Sequence, residues 1–306
     1  MTITVDNPSL EGIRLDRYLS EIAGIATRSQ IPQRVSDLRV NDDPAKLSRR
    51  LHQGDKITFV VTDEPVPHLV PQDIPLAILY EDDHVIVINK EQGMVVHPGA
   101  GNRDNTVANA VMHRIALPDT APGGIGIRPG IVHRLDKDTS GVLIVARDIE
   151  TQEFLSRQFS ERKTRKQYLA LVKGVPRPLQ GVIDSPIRRD PSHRIRFTSI
   201  PTGASRPGKE AVTSYRTLQQ YDQYALVLLS PKTGRTHQLR VHMHDLGTPI
   251  LGDPLYSRRD SRFPSATLML HAYSLEIRIP PSYSRRLFTA PVPDRFRDVL
   301  RALRYT

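Results

Sequence analysis

The residues with the clearest chemical potential lie at 129–147, PGIVHRLDKDTSGVLIVAR. An apolar pair, Ile131 and Val132, runs into His133, Arg134, Leu135 and Asp136. A polar turn follows over residues 137–140, and then an unbroken apolar strand. A strand end at a turn is where folds commonly display working side chains. Asp136 is the candidate carboxylate, with Arg134 two residues before it. A single loop aspartate is more often a turn former or a cap than a catalyst, so these residues alone leave both readings open. A second stretch, KTGRTHQLRVHMHDLG at 232–247, places Arg235 ahead of a helical pattern. There Leu239, Met243 and Leu246 recur at i, i+4 and i+7, and Gly247 can end the helix. Amides at Thr236, His237 and Gln238 would face outward at its start, where a phosphate is favoured. Three histidines, His237, His242 and His244, raise a metal reading. On a helix, His242 points away from the other two, and nothing nearby completes a tetrahedral set, so no metal is expected. The glycine-rich segments 97–102 and 123–130 are not dinucleotide fingerprints, because neither opens a clear helix with an acidic residue about 20 positions on. They allow close approach of backbone to a ligand, or simply make turns.

The whole chain narrows the chemistry further. It has 306 residues and no cysteine, which excludes disulfides, thiol nucleophiles and thiolate metal sites. No apolar run approaches the ~18 residues of a membrane helix, and the first ten residues do not read as a signal peptide, so a cytoplasmic protein is expected. The net charge is +10, which favours a polyanion partner, chiefly nucleic acid. The excess is uneven. Residues 1–65 hold 9 Lys/Arg against 10 Asp/Glu, and residues 66–306 hold 34 against 23.

Four segments together are recognisable. HRLDKDTSG at 133–141 resembles the signature of the RluA/RluD-type pseudouridine synthases, which modify large-subunit ribosomal RNA. HVIVINKEQGMVVHPGAGN at 84–102, RKQYLALVKG at 165–174 and KTGRTHQLRVHMHDLGTPILGDPLY at 232–256 resemble the family's other motifs, in the family's order. Glu91 departs from the pattern, since the family has a proline there. Proline would stiffen the turn, so a looser loop is expected. The resemblance implies Asp136 as the catalytic carboxylate, Tyr168 as the aromatic that stacks on uracil and assists proton removal at C5, and Arg235 as the cation that keeps Asp136 ionised. It implies that Arg134 fills the space left by the extruded uridine. His133, Thr236, His237 and Arg240 are the further RNA-binding candidates. Isomerising uridine breaks a C–N bond and makes a C–C bond with no change of oxidation state, so no cofactor, nucleotide or metal is expected.

The elements that must position these residues follow from pattern. Strands are expected over residues 76–80, 84–89, 141–147, 167–173 and 224–230, with helices over 106–115 and 151–161. Strands and helices mix without strict alternation, so the expected class is α+β, with a catalytic domain over 76–306 on a mixed, mainly antiparallel sheet. Residues 183–208 are polar, proline-rich and basic, like a surface hairpin or loop. Residues 66–75 form the expected proline-rich linker. Residues 1–65 show helical spacing over 13–22 and 29–35, then β-prone pieces at 38–40 and 57–61. This order resembles the S4 RNA-binding module in degenerate form, since glycines usual in that module are replaced by Leu38 or Arg39 and by Asp42. The expected function is isomerisation of specific uridines in large-subunit ribosomal RNA, with helix 69 a candidate stem-loop. The competing reading is a non-catalytic S4-containing assembly factor. An S4-bearing methyltransferase would need a cofactor loop after the first strand, and none is visible. Oligomeric state is not legible.

Overall fold

Apolar side chains gather into separate cores in two units, Met1–His68 and Leu69–Thr306. The computed structural model describes residues 1–26, 31–61, 69–99, 101–115, 130–193, 195–200 and 208–304. The smaller unit contains β1 (Thr2–Thr4), α1 (Leu15–Arg17), α2 (Ile31–Arg34), β2 (Val35–Val40), β3 (Asp43–Pro44) and β4 (Lys56–Val61). Its antiparallel sheet runs in the order β1-β4-β2-β3, over a core that includes Leu15, Leu19, Ile31, Ile57 and Phe59. The helix expected over 13–22 is shorter. It widens after α1 into a π turn, Tyr18–Ile22, and Gly24 at φ +63° follows its end. The second helix ends at Arg34, because Val35 already belongs to a strand; residues 29 and 30 lie outside the described residues.

The larger unit contains β5 (Ile78–Glu81), β6 (Val85–Lys90), α3 (Val107–Ile115), β7 (Ser140–Ala146), α4 (Ile149–Ser160), β8 (Arg165–Lys173), β9 (Gln180–Asp184), β10 (Ile187–Arg189), β11 (Phe197–Ser199), β12 (Val212–Gln220), β13 (Tyr224–Pro231), α5 (Gln238–Asp245), β14 (Leu270–Arg278), β15 (Arg285–Thr289) and α6 (Asp294–Arg304). One nine-stranded sheet runs β5-β6-β7-β14-β8-β13-β12-β9, with β15 beside β14. All of its pairings are antiparallel except β7 with β14, a two-residue parallel match of His271 with Ser140 and Ala272 with Gly141. The expected α+β class with a mixed, mainly antiparallel sheet is therefore found. All seven residues of β7 are buried, which is why its sequence is continuously apolar rather than alternating. Helix α4 starts two residues earlier than its apolar spacing indicates, because Asp148 caps it by accepting the Thr151 amide at 2.7 Å.

One expectation about connections changes. Residues 69–75 are not a free linker. Leu69 is buried in the larger unit's core, the Gln72 amide donates to the Asn109 carbonyl at 3.1 Å, and Asn109 Nδ2 donates to Val70 O at 2.9 Å. Residues 62–68 lie outside the described residues, as do 116–129, which include most of the glycine-rich 123–130 segment. Within 183–208, β10 and β11 form a hairpin with Ile187 opposite Ser199; Arg194 and Arg206 are outside the described residues.

Gly141 fixes the close meeting of β7 and β14. It sits at φ +117°, and a Cβ there would lie 2.1 Å from the Ala272 carbonyl oxygen. Gly141→Ala must push the two strands apart, so it should cost at least about 2 kcal/mol of stability. Denaturant unfolding of the variant checks this; a midpoint equal to wild type would contradict the close approach.

Candidate active site

The end of β13, the loop into α5, the residues before β7 and the start of β8 surround a pocket of about 490 Å³. Its lining includes Arg134, Asp136, Tyr168, Arg235, Thr236, His237 and Arg240. The chain before β7 reaches the pocket through a tight turn in which the Thr139 amide donates to Asp136 O at 3.0 Å. Leu135 is buried beneath it, so its neighbour Asp136 is held at the pocket wall.

Three groups from elsewhere back this turn. Lys90, only 1% exposed, donates from Nζ to the carbonyls of Glu91 (2.8 Å), Met94 (2.8 Å) and Lys137 (3.1 Å). Burial lowers its pKa to about 8, against the opposing pull of Asp138 and Asp136. Gln92 Nε2 donates to Asp138 O (2.9 Å) and Leu268 O (3.0 Å), while its carbonyl accepts from Thr267 Oγ1 (2.8 Å). The turn at Glu91, expected to be loose without a proline, is thus pinned by its neighbours. Behind β7, Arg295 Nη2 donates to Ser140 Oγ at 2.7 Å, and that hydroxyl meets His271 Nδ1 at 2.8 Å.

The cation facing Asp136 is Arg240, not Arg235. Arg240 Nη1 lies 3.5 Å from Asp136 Oδ2. Its Nε and Nη2 grip Asp253 in a two-pronged pair at 2.7 and 2.8 Å, and its guanidinium stacks 5.2 Å from the Tyr256 ring centre. Burial works against the Arg240 charge, and the hydrogen bonds and charge of Asp253, with Asp136 behind, more than offset it. Asp253 is fixed in turn by the amides of Leu255 (2.9 Å) and Tyr256 (3.1 Å). Arg235 instead turns outward, and its Nε donates to Glu210 O at 2.9 Å. The cause is local. His237 takes a left-handed conformation, φ +58°, immediately before α5, so Arg235 lies ahead of a backbone reversal while Arg240 lies on the helix beyond it. Gln238 fastens the reversal: its Oε1 accepts from the Arg235 amide (3.0 Å) and Thr233 Oγ1 (2.7 Å), and its Nε2 donates to Val212 O (3.0 Å).

The other expected residues divide. Tyr168 lines the pocket, and burial, aided by the negative charge of Asp136, pushes its phenol pKa far up, so it stays neutral. Arg134 is exposed at the rim. His237 Nε2 lies 3.9 Å from Asp136 Oδ2. The Tyr256 hydroxyl accepts the Phe197 amide at 2.8 Å and meets His237 Nδ1 at 2.9 Å, which fixes the orientation of that ring. Thr236 lines the pocket. His242 faces away, between the Thr213 hydroxyl (2.9 Å) and Ser185 O (3.0 Å), and no group of three potential metal ligands occurs among the described residues.

His133, expected among the RNA-binding residues, lines the pocket, with its Nε2 committed to backbone. The Ile144 amide donates to its Nε2 at 3.0 Å, and its ring stacks on Phe159 at 4.5 Å. The Ile144 bond makes Nε2 an acceptor, so the ring is neutral and fixed in one tautomer. Burial, with some help from the Lys166 charge, pushes its pKa down to about 3. Asp253 and Tyr256 are the supporting residues that sequence reasoning passed over; their signal was the GDPLY at the end of the 232–256 motif. The His133 geometry fixes a pH dependence. Between about pH 6.5 and pH 3 the unfolded chain binds a proton on this ring that the folded protein refuses, so stability falls as pH drops through that window. His133→Gln keeps an acceptor for Ile144 without the titration, and its thermal midpoint should fall less steeply between pH 7 and pH 4. Parallel pH profiles would contradict this.

The RNA pseudouridylate synthase family model matches residues 84–245. Ribosomal large subunit pseudouridine synthase D of Borreliella burgdorferi is 44% identical over 93% of this chain and 87% of its own length. The protein of that name from Nitrosomonas europaea is 38% identical over 97% of this chain and 86% of its own. The solved structure of human RNA Pseudouridylate Synthase Domain Containing 4 matches with a TM-score of 0.59 and 29% identity, covering 74% of this chain and 93% of that one. The chain belongs to the RNA pseudouridylate synthase family and is an isomerase that converts uridine to pseudouridine in RNA.

Proposed function

We propose that this protein acts on specific uridines of large-subunit ribosomal RNA in the cytoplasm, with the helix 69 stem-loop as its target and Asp136 as its catalytic carboxylate. The observation that carries the site assignment is the Asp136 carboxylate 3.5 Å from a guanidinium that Asp253 holds in place, in the pocket lined by Tyr168. The target class is supported by the names of the bacterial relatives, and by the likeness of the 97–102 loop, HPGAGN, to the RluD branch. A non-catalytic assembly factor would have no use for an aspartate displayed beside a desolvated cation.

The chemistry uses the residues as follows. The glycosidic bond from C1′ to N1 breaks, the uracil turns, and C1′ bonds to C5; the proton leaving C5 is replaced by one gained at N1, so the formula is unchanged. Both tasks open to Asp136, bonding to C1′ and taking the C5 proton, need an ionised carboxylate at a fixed angle. Arg240 supplies the charge, since an opposite charge within about 4–6 Å favours the ionised form. Tyr168 offers a neutral ring to stack on the base. As a neutral phenol it is no base in its resting state, which leaves Asp136 as the proton acceptor. Extruding the uridine costs a few kcal/mol, and Arg134 at the pocket rim fills the vacancy. Residues 1–65, which resemble a degenerate S4 module, serve in site selection.

Mapping pseudouridine on ribosomal RNA from cells with and without the gene tests the target. Loss of one or a few large-subunit sites is expected, and an unchanged map overturns it. Asp136→Asn keeps the shape and removes the charge. It should abolish isomerisation of unmodified ribosomal RNA while RNA binding stays within a few fold; normal turnover removes Asp136 from its role. Arg240→Ala leaves Asp253 buried without its partner, so it should cost about 3–5 kcal/mol of stability and sharply lower the saturating single-turnover rate. Arg235→Ala should lower that rate far less. The reverse ranking would restore Arg235 as the partner of Asp136.

A further inference from the structure

The cations around the pocket fall into two groups. Arg240 is matched by Asp253 and Asp136, and Arg162 by a paired contact with Glu210. Arg134, Lys166, Lys232 and Arg235 also line the pocket, and none forms an ion pair with a carboxylate among the described residues. Arg134 and Lys232 are exposed and keep their water. Lys166 differs. It is half-buried, and burial alone lowers its pKa. Its ammonium has no hydrogen bond or ion pair among the described residues, and it lies about 3.9 Å from where a side chain at Gly234 would begin. Glycine there leaves bare backbone, so nothing on that side blocks the ammonium from a ligand.

Strand geometry relates this group to the reacting base. Lys166 and Tyr168 are two residues apart on β8, so they project from the same face, about 7 Å apart along the strand. That is the scale of one nucleotide. A desolvated ammonium without a counter-charge is costly, and a ligand that brings an anion offsets the cost. Uracil presents only neutral carbonyls in its resting state. The anions that RNA brings into the pocket are its phosphodiesters.

We propose that the Lys166 ammonium binds a non-bridging phosphate oxygen next to the uridine whose base stacks on Tyr168. The subsite seats the backbone of the extruded nucleotide, with Gly234 as its open wall. It rests on the reading that RNA is the substrate and Tyr168 the stacking ring, and it adds the anchor that fixes the nucleotide's depth in the pocket. The competing role, a contact to charge developing on the uracil as the glycosidic bond breaks, would act on rate rather than on capture.

The test uses full-length protein and a short synthetic RNA hairpin with a single loop uridine, made with methylphosphonate in place of each flanking phosphate in turn. Lys166→Met keeps the aliphatic stem and loses the charge; Lys166→Arg keeps the charge. In wild type, one neutral linkage should weaken binding about tenfold, as expected for a lost contact of about 1.4 kcal/mol. In Lys166→Met the same linkage should cause no further loss, and the slope of log affinity against log salt should be shallower by about one. Lys166→Arg should restore both. Equal losses from the methylphosphonate in wild type and Lys166→Met would overturn the proposal. So would a variant whose saturating single-turnover rate falls while its affinity and salt slope hold. The linkage effect is read by binding, so it stands apart from the finding, which would sink the wider functional reading instead, that wild-type protein makes no pseudouridine.

Discussion

The guanidinium of Arg240 faces two carboxylates, and it serves one because the other holds it. Asp253 takes Nε and Nη2 in a planar fork, which leaves Nη1 aimed at Asp136. Without that grip, a flexible arginine would lose much of its attraction for Asp136 to side-chain entropy and competing water. The grip itself is costly to desolvate, and it persists because every prong is used and the Tyr256 ring covers one face. The rest of the pocket is arranged to deliver this contact. Gln238 fixes the reversal that starts α5, the Leu255 and Tyr256 amides fix Asp253, and Tyr256 ties His237 to the β11 backbone.

Asp136 meets this cation from a turn that is itself backed on the far side. A buried ammonium with three carbonyls, at Lys90, does what a run of secondary structure cannot do in so short a loop. It satisfies several backbone acceptors at one point without imposing a helix or a ladder on them. That explains how a glutamate at position 91 is tolerated where the family has proline. The turn's shape is set by what its carbonyls bind and less by its own φ preference.

The sequence made the broad architecture and Asp136 legible, and it failed where long-range packing decides. Apolar runs marked β6, β7, β8 and β13, because burial on a sheet leaves a pattern that local reading can find. Tyr168 and Asp136 stand in contiguous motifs and emerged at once. Arg235 and Arg240 lie on the same motif, and choosing between them required the left-handed turn at His237, which no side-chain pattern announces. His133 was an RNA-binding candidate by its place in the motif; its Nε2 is committed to the Ile144 amide, a partner eleven residues away. The proline count at residues 66–75 argued for a linker, yet Leu69 is buried in the larger unit's core and the Val70 carbonyl accepts from Asn109. Composition reports local stiffness and says nothing about which face finds a partner.

The placement of β14 has a consequence for how the protein is made. It lies between β7 and β8, yet β8 ends 97 residues, and β7 124 residues, before it begins. Gln92 reaches Leu268 across 176 residues, and Arg240 must wait for Asp253 thirteen residues later. A chain emerges from the ribosome amino end first. Until residues 270–278 have left the exit tunnel, the sheet lacks its middle strand and the Asp136 turn lacks part of its backing.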